Sequence, residues 1–378
     1  MSIVLAIETS CDETAVSVVS QENESLCVCS NAISSQVQLH AHYGGVVPNL
    51  AAREHTKNMN LVLEEALRKA NATPDTIDLL AVTNAPGLIP ALLIGTTTAK
   101  TLSWLWDKPL LGIHHIEGHI YANFVPTLDI KQNKTTPQFP LLALVVSGGH
   151  TQLVYMKKHF HYEIIGQTQD DAVGEAFDKV ARILGLRYPG GPEIAKKTSL
   201  FREKRNASPN ETLLEEISLP RPMISSNNFH FSFSGLKTAV LYAVQTYRKK
   251  HSLEETQSLP ESFVEMMSWQ FEEASIDVLV AKTLKALRHY RPKTIVLAGG
   301  VSANLHLQKT LRQKISETSP QTDFFLPPLG LSLDNAAMIG ACALLRWEKM
   351  SPKEKVQAKN TWKSLETYAN LSLTEISV

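Results

Sequence analysis

Two distant stretches of this chain repeat one pattern: an apolar segment, a small polar turn and a second apolar segment. The first copy covers residues 3–19 and the second covers residues 141–156. Two apolar segments joined by a short polar turn predict a hairpin. Hairpins are common, but here strand and helix patterns alternate after the first one. The repeat therefore predicts a duplicated α/β architecture in which each lobe opens with a hairpin.

A polar segment at residues 129–137 is typical of a linker between the two copies. We therefore predict an N-terminal lobe at 1–138 and a C-terminal lobe at 139–334, with the helical segment 335–378 packing back on the first lobe. Apolar periodicity predicts the main helices and strands. The predicted helices are 50–69, 90–105, 171–184, 261–290 and 335–347, and the buried strands are 79–83, 110–113 and 294–298. Residues 188–192 and 198–228 are predicted to be irregular.

The composition is that of an ordinary globular protein. The chain has 378 residues, 43% of them hydrophobic, and a formal net charge of zero. The length is enough for two or three domains, and the neutral charge does not by itself indicate a nucleic-acid partner. Apolar runs fall short of the ~20 residues that span a bilayer, and the chain opens with a strand rather than a leader. Four cysteines without paired spacing favour a reduced, cytoplasmic location.

The motif His115-Ile116-Glu117-Gly118-His119 follows the apolar segment 110–113. Two histidines four positions apart lie on one face of a helix, where both can bind a single metal ion. The alternative is a helix start with two surface or core histidines, which spacing alone does not exclude. The motif differs from the zinc-protease signature, in which glutamate directly follows the first histidine. Glu117 would lie about 200° around the helix from His115, away from the metal.

The turns inside the two hairpins are candidates for phosphate binding. The turn at 9–14 contains hydroxyl and acidic residues, and the turn at 147–151 contains Gly148 and Gly149. Glycines let backbone N–H groups approach a phosphate, and facing turns would hold it from both sides. The segment 299–304 joins a strand to a helix and offers another glycine platform, as does 188–192. A Walker loop is absent, because a Gly-Lys-Ser/Thr sequence is missing.

Asp334 precedes the last long predicted helix, so it is a good helix N-cap without any metal. It also follows the last strand of the second lobe, where ligands of α/β sheets bind. Two histidines and one carboxylate suit iron(II) or zinc. The spacing of the histidine pair does not identify the third ligand.

Nine blocks of the chain, in order, resemble the TsaD family of tRNA N6-adenosine threonylcarbamoyltransferases, formerly called O-sialoglycoprotein endopeptidases. The blocks are residues 6–14, 43–48, 114–119, 146–151, 174–179, 188–192, 231–237, 299–304 and 334–339. The resemblance to the bacterial type runs nearly end to end. Two positions depart from the family: Pro90 replaces a glycine, and Leu333 replaces a small hydroxyl residue.

The resemblance implies a two-lobe actin-like ATPase (ASKHA) fold, built from duplicated RNase H-like lobes around a central cleft. It implies a metal site and an adenylate site, with Asp12 and Glu13 needed for catalysis. The implied metal ligands are His115, His119 and Asp334, and the implied adenylate-binding residues are Val145, Val146, Ser147, Gly148, Gly149, Asp178, Gly191 and Asn304. Fe²⁺ is the expected metal and Zn²⁺ the alternative.

The implied reaction is transfer of a threonylcarbamoyl group from threonylcarbamoyl-AMP to N6 of adenosine 37, in tRNAs that read codons beginning with A. Expected partners are tRNA, a pseudo-enzyme paralogue (TsaB-like) and a small ATPase (TsaE-like), with no membrane. Three other classes are weighed against it. One is a non-catalytic partner of the same fold, although such paralogues typically lose the metal residues and all three are present here. A metalloprotease would use the histidine pair, and a small-molecule kinase of the same fold would use the phosphate turns but not the histidines.

Overall fold

The computed structural model describes residues 1–22, 25–126, 136–207, 217–328 and 330–375. In the first half of the chain the strands and helices are β1 (Ser2–Glu8), β2 (Glu13–Glu22), β3 (Ser25–Ser35), α1 (Val37–Ala41), α2 (Pro48–Ala70), β4 (Leu79–Ala85), α3 (Ile89–Trp106), β5 (Leu110–His114) and α4 (His115–Tyr121). Most of the predicted linker 129–137 lies outside the described residues.

The second half repeats the strand plan with longer helices between the strands. Its elements are β6 (Leu141–Val146), β7 (Thr151–Met156), β8 (Tyr162–Gln167), α5 (Val173–Ile183), α6 (Gly190–Ala207), α7 (Ser234–Lys250), α8 (Glu261–Tyr290), β9 (Thr294–Ala298), α9 (Leu305–Thr318), β10 (Asp323–Phe325), α10 (Ala336–Lys349), α11 (Pro352–Ala358) and α12 (Thr361–Ser364).

The two sheets have the same topology. The first has the order β3-β2-β1-β4-β5 and the second, read in the same sense, β8-β7-β6-β9-β10. In each sheet the opening hairpin is antiparallel, and the strand after the first helical crossover pairs in parallel with the first strand. The prediction of a duplicated two-lobe α/β fold is confirmed.

The core between the sheets brings the two halves of the chain together. Buried residues of β1 and β4 share one cluster with residues of β6, β9, α4 and α10. Helix α10 is buried from Ala336 through Leu345, and its alanines and glycine allow close packing on β1 and β2. An added methyl group at Gly340 would lie 2.7 Å from Val19. The lobe boundaries at 138 and 334 stay a prediction.

Two sequence predictions of irregular structure, for 188–192 and 198–228, are wrong in part, and residues 208–216 of the second lie outside the described residues. Residues 190–192 begin α6, and residues 198–207 continue it. The prediction took Pro192 as a sign of irregular structure. Proline is tolerated in the first helical turn, because the N–H groups of that turn have no partner inside the helix. Pro90 also lies in a first helical turn, that of α3.

Among the described residues, helices long and apolar enough to span a bilayer are absent.

Candidate active site

The helix that carries both histidines is fixed at its start and along one side. His114 ends β5 and caps α4: its side chain accepts a hydrogen bond from Ile116 N, and Glu117 accepts one from His114 N. This reciprocal capping box sets the direction in which α4 leaves the sheet. Gly118 lies against α10, where an added methyl group would come within 2.7 Å of Ile339. The histidine positions therefore depend on the packing of α4 against α10.

The structure brings the three predicted metal ligands together. One ligand atom from each of His115, His119 and Asp334 lies within 4.8 Å of the others. Asp334 Oδ1 is 3.6 Å from His115 Nε2 and 3.2 Å from His119 Nε2. Donor atoms bound to one cation at about 2.0–2.2 Å lie roughly 3–3.5 Å apart. The observed separations fit a shared cation after small side-chain adjustments.

His119 supplies an independent test of that fit. Its side chain is buried, and within the described residues neither ring nitrogen has a hydrogen-bond partner of good geometry. A buried imidazole with both nitrogens unpaired is costly in a metal-free site. Burial and the charge of His115 lower the pKa of His119, so the ring is neutral. A neutral imidazole is the form that binds a metal.

Glu8 orients the other histidine. His115 Nδ1 donates to Glu8 Oε2 at 3.1 Å, which leaves Nε2 facing Asp334. Glu8 also accepts hydrogen bonds from Ser10 N and Thr83 Oγ1, each 2.5 Å long. Although burial opposes a charge on Glu8, His115 holds the pKa of this carboxyl below its usual value. A carboxylate behind a ligating histidine is the usual support of such a site.

Asp12 and Glu13 lie beside this cluster at the end of the first hairpin turn. Burial, followed by the charges of Asp334 and Asp12, raises the pKa of Glu13 to about 10. His115 and His119 hold the pKa of Asp334 well below its usual range despite burial. Several carboxyl groups close together in a mostly buried site favour a bound cation.

The second hairpin turn is built without acidic groups. Ser147 N donates to His150 O at 2.8 Å, and His150 N donates to Ser147 Oγ at 3.1 Å, which closes the turn around Gly148 and Gly149. An added methyl group at either glycine would have no other atom within 4 Å. Both glycines are therefore open to a ligand, as phosphate binding requires.

Gly299, which was not among the predicted adenylate residues, packs against the end of the strand that leads into this turn. Gly299 has a φ of +87°, and an added methyl group there would lie 2.4 Å from Val146 O. This conformation and contact require glycine. Asp178 Oδ1 accepts a hydrogen bond from Gly190 N at 2.7 Å, next to Gly191 at the start of α6. Burial raises the pKa of Asp178, and the nearby charge of Asp12 adds to the shift.

Glu117 points away from the metal ligands, as the sequence predicted. It is completely buried, accepts a 2.6 Å hydrogen bond from Tyr162 and pairs with Arg346 of α10. A carboxylate held in this way cannot activate a water molecule at the histidine pair. The protease alternative therefore has no base at the expected position.

Comparison with known proteins identifies the family. The model of TsaD, tRNA N6-adenosine threonylcarbamoyltransferase, matches residues 27–341. This chain belongs to the TsaD family. It is 47% identical over 346 residues to the tRNA N6-adenosine threonylcarbamoyltransferase of Bacillus subtilis, covering 92% of this chain and 91% of that protein. The protein of the same name from Listeria monocytogenes is 45% identical over 340 residues, 90% of each chain.

Two residues of this TsaD-family site were missed as candidates. One is Glu8, whose signal was a single acidic residue at the end of the apolar strand β1. The other is His150, which follows Gly148 and Gly149. Burial, with the nearby His115 and His119, lowers the pKa of His150 to about 4, so this ring is neutral. Its place beside the predicted metal ligands follows from the tertiary structure and not from the sequence.

Proposed function

We propose that this chain transfers the threonylcarbamoyl group from threonylcarbamoyl-AMP to N6 of adenosine 37, in tRNAs that read codons beginning with A. The observation that carries the proposal is the meeting of His115, His119 and Asp334 beside an open glycine turn. It supports a cation site next to a phosphate site in a member of a tRNA-modifying family. An acyl-adenylate donor needs both, one for its carbonyl and one for its phosphate.

The metal would be held by the two imidazoles and the Asp334 carboxylate. This ligand set suits iron(II), which we propose, or zinc as the alternative. When bound, a divalent cation supplies Lewis acidity to a carbonyl oxygen. The chain itself contributes the orientation of the ligands. Glu8 fixes the ring of His115 through a 3.1 Å hydrogen bond, and the packing of α4 on α10 fixes the helix.

Proton transfer falls to the first hairpin turn. The exocyclic amine of adenine must lose a proton when its nitrogen is acylated. The raised pKa of Glu13, about 10, means that this carboxyl already carries a proton near neutral pH. We therefore assign acceptance of the amine proton to Asp12. Glu13, as a protonated carboxyl, can donate a hydrogen bond instead.

The donor's adenylate would occupy the C-terminal side of the cleft. We propose that the backbone of residues 145–149 holds its phosphate and that Asp178, Gly191 and Asn304 hold its adenosine. Exclusion of water and alignment of donor and acceptor supply much of the rate, worth up to about 7–11 kcal/mol in well-aligned reactions. The acceptor base lies in a single-stranded loop, so its presentation requires little unpairing.

A face of α3 is the proposed contact for the pseudo-enzyme paralogue. Leu93, Trp104 and Leu105 are large hydrophobic residues of this helix and are 47%, 63% and 65% exposed. Several large apolar side chains exposed on one helix favour a protein interface there. We further propose that a small ATPase completes the assembly and that the protein acts in the cytoplasm, where its tRNA acceptors are found.

Reconstitution tests the function directly. The chain, its paralogue and the ATPase are incubated with tRNA and chemically or enzymatically made threonylcarbamoyl-AMP, and the digested tRNA is analysed by mass spectrometry. We expect the threonylcarbamoyl nucleoside with the wild type and not with His115→Ala, while the exposed His161→Ala serves as the matched histidine control. Modification by His115→Ala at the wild-type rate would refute the metal role. Cleavage of a sialoglycoprotein, or phosphoryl transfer from ATP to a sugar, would revive the alternatives.

A further inference from the structure

The side chain of Asn304 forms hydrogen bonds through both its oxygen and its nitrogen. Its Oδ1 accepts a hydrogen bond from Leu307 N at 2.9 Å, which caps α9, and its Nδ2 donates to Glu272 Oε1 at 2.8 Å. These two contacts fix which end of the amide is oxygen and which is nitrogen. A primary amide has two N–H donors. Asn304 therefore keeps one N–H group, in a fixed direction, for a ligand.

Glu272 holds Asn304 from inside the protein. Its side chain is only 2% exposed, and its Oε2 accepts a 3.1 Å hydrogen bond from Arg202 Nη2. Arg202 also donates to Glu273 Oε1 at 2.7 Å, and the same oxygen accepts from Trp269 Nε1 at 3.1 Å. A buried carboxylate requires such a partner, because an unpaired charge there is costly. Arg202 thus determines where Glu272, and through it Asn304, can lie.

Helix α6 connects this cluster to the opposite wall of the proposed adenosine site. The helix begins with Gly190 and Gly191, and Gly190 N is bound to Asp178. Arg202 lies on the same helix, about three turns further along. A helix over this distance acts as a rigid connector. The Arg202–Glu272 pair therefore joins the wall formed by Gly191 to the wall formed by Asn304.

We propose that Arg202 and Glu272 are a positioning pair for the adenosine of the donor. They do not touch the nucleotide; they set the direction of the free Asn304 N–H and its distance from Gly191. This inference rests on the proposed function, because it assumes that an adenylate occupies the cleft beside Asn304. It extends that function by naming residues behind the binding surface that determine affinity for the nucleotide.

The same two helices contain a natural control. Glu265 of α8 is 2% exposed and pairs with Lys204 of α6 at 2.6 Å. This pair matches Arg202–Glu272 in the burial of its carboxylate and in the helices that it joins, but both Glu265 oxygens accept from Lys204 rather than from Asn304. Glu265→Gln therefore reports the effect of weakening an α6–α8 ion pair alone.

The test measures binding of AMP to the full chain by isothermal titration calorimetry. In Glu272→Gln a carbonyl oxygen can still accept from Asn304, but the new amide group presents a donor to Arg202. We expect AMP affinity to fall about 5- to 10-fold. This is the effect of losing one hydrogen bond and displacing the donor of a second. Glu265→Gln should stay within about 2-fold of wild type. In the transfer assay, Glu272→Gln should raise the KM for the donor and leave that for tRNA unchanged.

Arg202→Met provides a second variant if Glu272→Gln does not fold, and circular dichroism melts report folding for each. The double variant should lose little more AMP affinity than either single variant, because both substitutions disrupt the same interaction. Wild-type AMP affinity in folded Glu272→Gln or Arg202→Met would overturn the positioning role, as would an equal loss in Glu265→Gln. If the wild type transfers the group but binds no AMP, the adenosine assignment fails; if it does neither, the proposed function fails.

Discussion

The two hairpin turns occupy equivalent places in equivalent sheets, yet they differ in chemistry. The first, at residues 9–14, contains Asp12 and Glu13 and lies against Glu8 and Asp334. The second, at residues 147–151, contains Gly148 and Gly149, which leave open space beside the backbone. The two turns have equivalent positions in the fold, but only the first contains acidic side chains. Strand order therefore locates the cleft, and only the side chains of each turn determine what that turn can bind.

This difference revises one expectation drawn from the sequence. Both turns were expected to hold a phosphate from opposite sides. The second turn fits that role, because its backbone N–H groups can approach an anion. The first turn does not fit it directly, because carboxylates close to a phosphate are repelled unless a cation lies between them. The first turn is thus suited to a place beside a cation and the second turn to an anion.

The largest expected effect comes from removing one of the proposed ligands of the cation. Asp334→Asn and His115→Ala each remove one of three protein ligands, and we expect transfer to fall by about 10³-fold or more. Metal content measured by inductively coupled plasma mass spectrometry should fall with it. The control His161→Ala should retain both. If Asp334→Asn retained metal and activity, the cation would not be bound by Asp334 together with the histidines.

A smaller effect tests the support behind the ligands. Glu8→Gln keeps the size of the side chain but weakens the hydrogen bond to His115 Nδ1. Loss of such a carboxylate typically costs 10- to 100-fold in metal affinity. Competition with a chelator of known affinity measures this value, and the exposed Glu22→Gln is the control. Unchanged affinity would mean that Glu8 serves folding rather than the metal site.

The charge of the first turn should also appear in the pH dependence of stability. The pKa of Glu13 is raised from 4.5 to about 10, so in that window the unfolded chain loses a proton that the folded protein keeps. Stability of chelator-treated protein should therefore fall as pH rises from about 5 to 10, by at most about 1.4 kcal/mol per pH unit from this group.

Glu13→Gln should flatten that slope, whereas the equivalent second turn has no carboxyl group to produce one. Urea denaturation at pH 6, 7.5 and 9 measures it for the wild type and for Glu13→Gln. An equal slope in both proteins would show that Glu13 is ionised in the folded state and would remove the reason for assigning proton acceptance to Asp12.

The smallest effect is expected at Leu333, the residue before Asp334. Its side chain is 60% exposed, and its backbone oxygen accepts a 2.7 Å hydrogen bond from Asn335 Nδ2. The side chain is therefore not needed to hold the neighbouring Asp334. Leu333→Thr, which restores the hydroxyl usual in the family, should change metal content and transfer by less than about 3-fold, within the range of surface substitutions. A change above 10-fold would place this side chain in the site.

Much of this molecule could be predicted from the chain alone. The helix 261–290 and the strand 294–298 agree with α8 and β9, because long periodic and short apolar patterns are strong local signals. The helix start at Gly190 was missed, because glycine and proline are typical of loops unless tertiary packing holds them in a helix. Strands β3 and β8 were also missed, because edge strands with mixed polarity have weak local patterns.

The sequence by itself determined the repeat of two hairpins, the helical spacing of His115 and His119, and the glycines that specific backbone conformations require. These features depend on neighbours along the chain, and local sterics and hydrophobic periodicity are sufficient to specify them. Tertiary structure alone decided that Asp334 meets the histidines, that Glu8 lies behind them and that Arg202 supports Asn304 through Glu272. Those contacts join residues far apart in sequence, so they exist only after the sheets and helices that carry them have packed together.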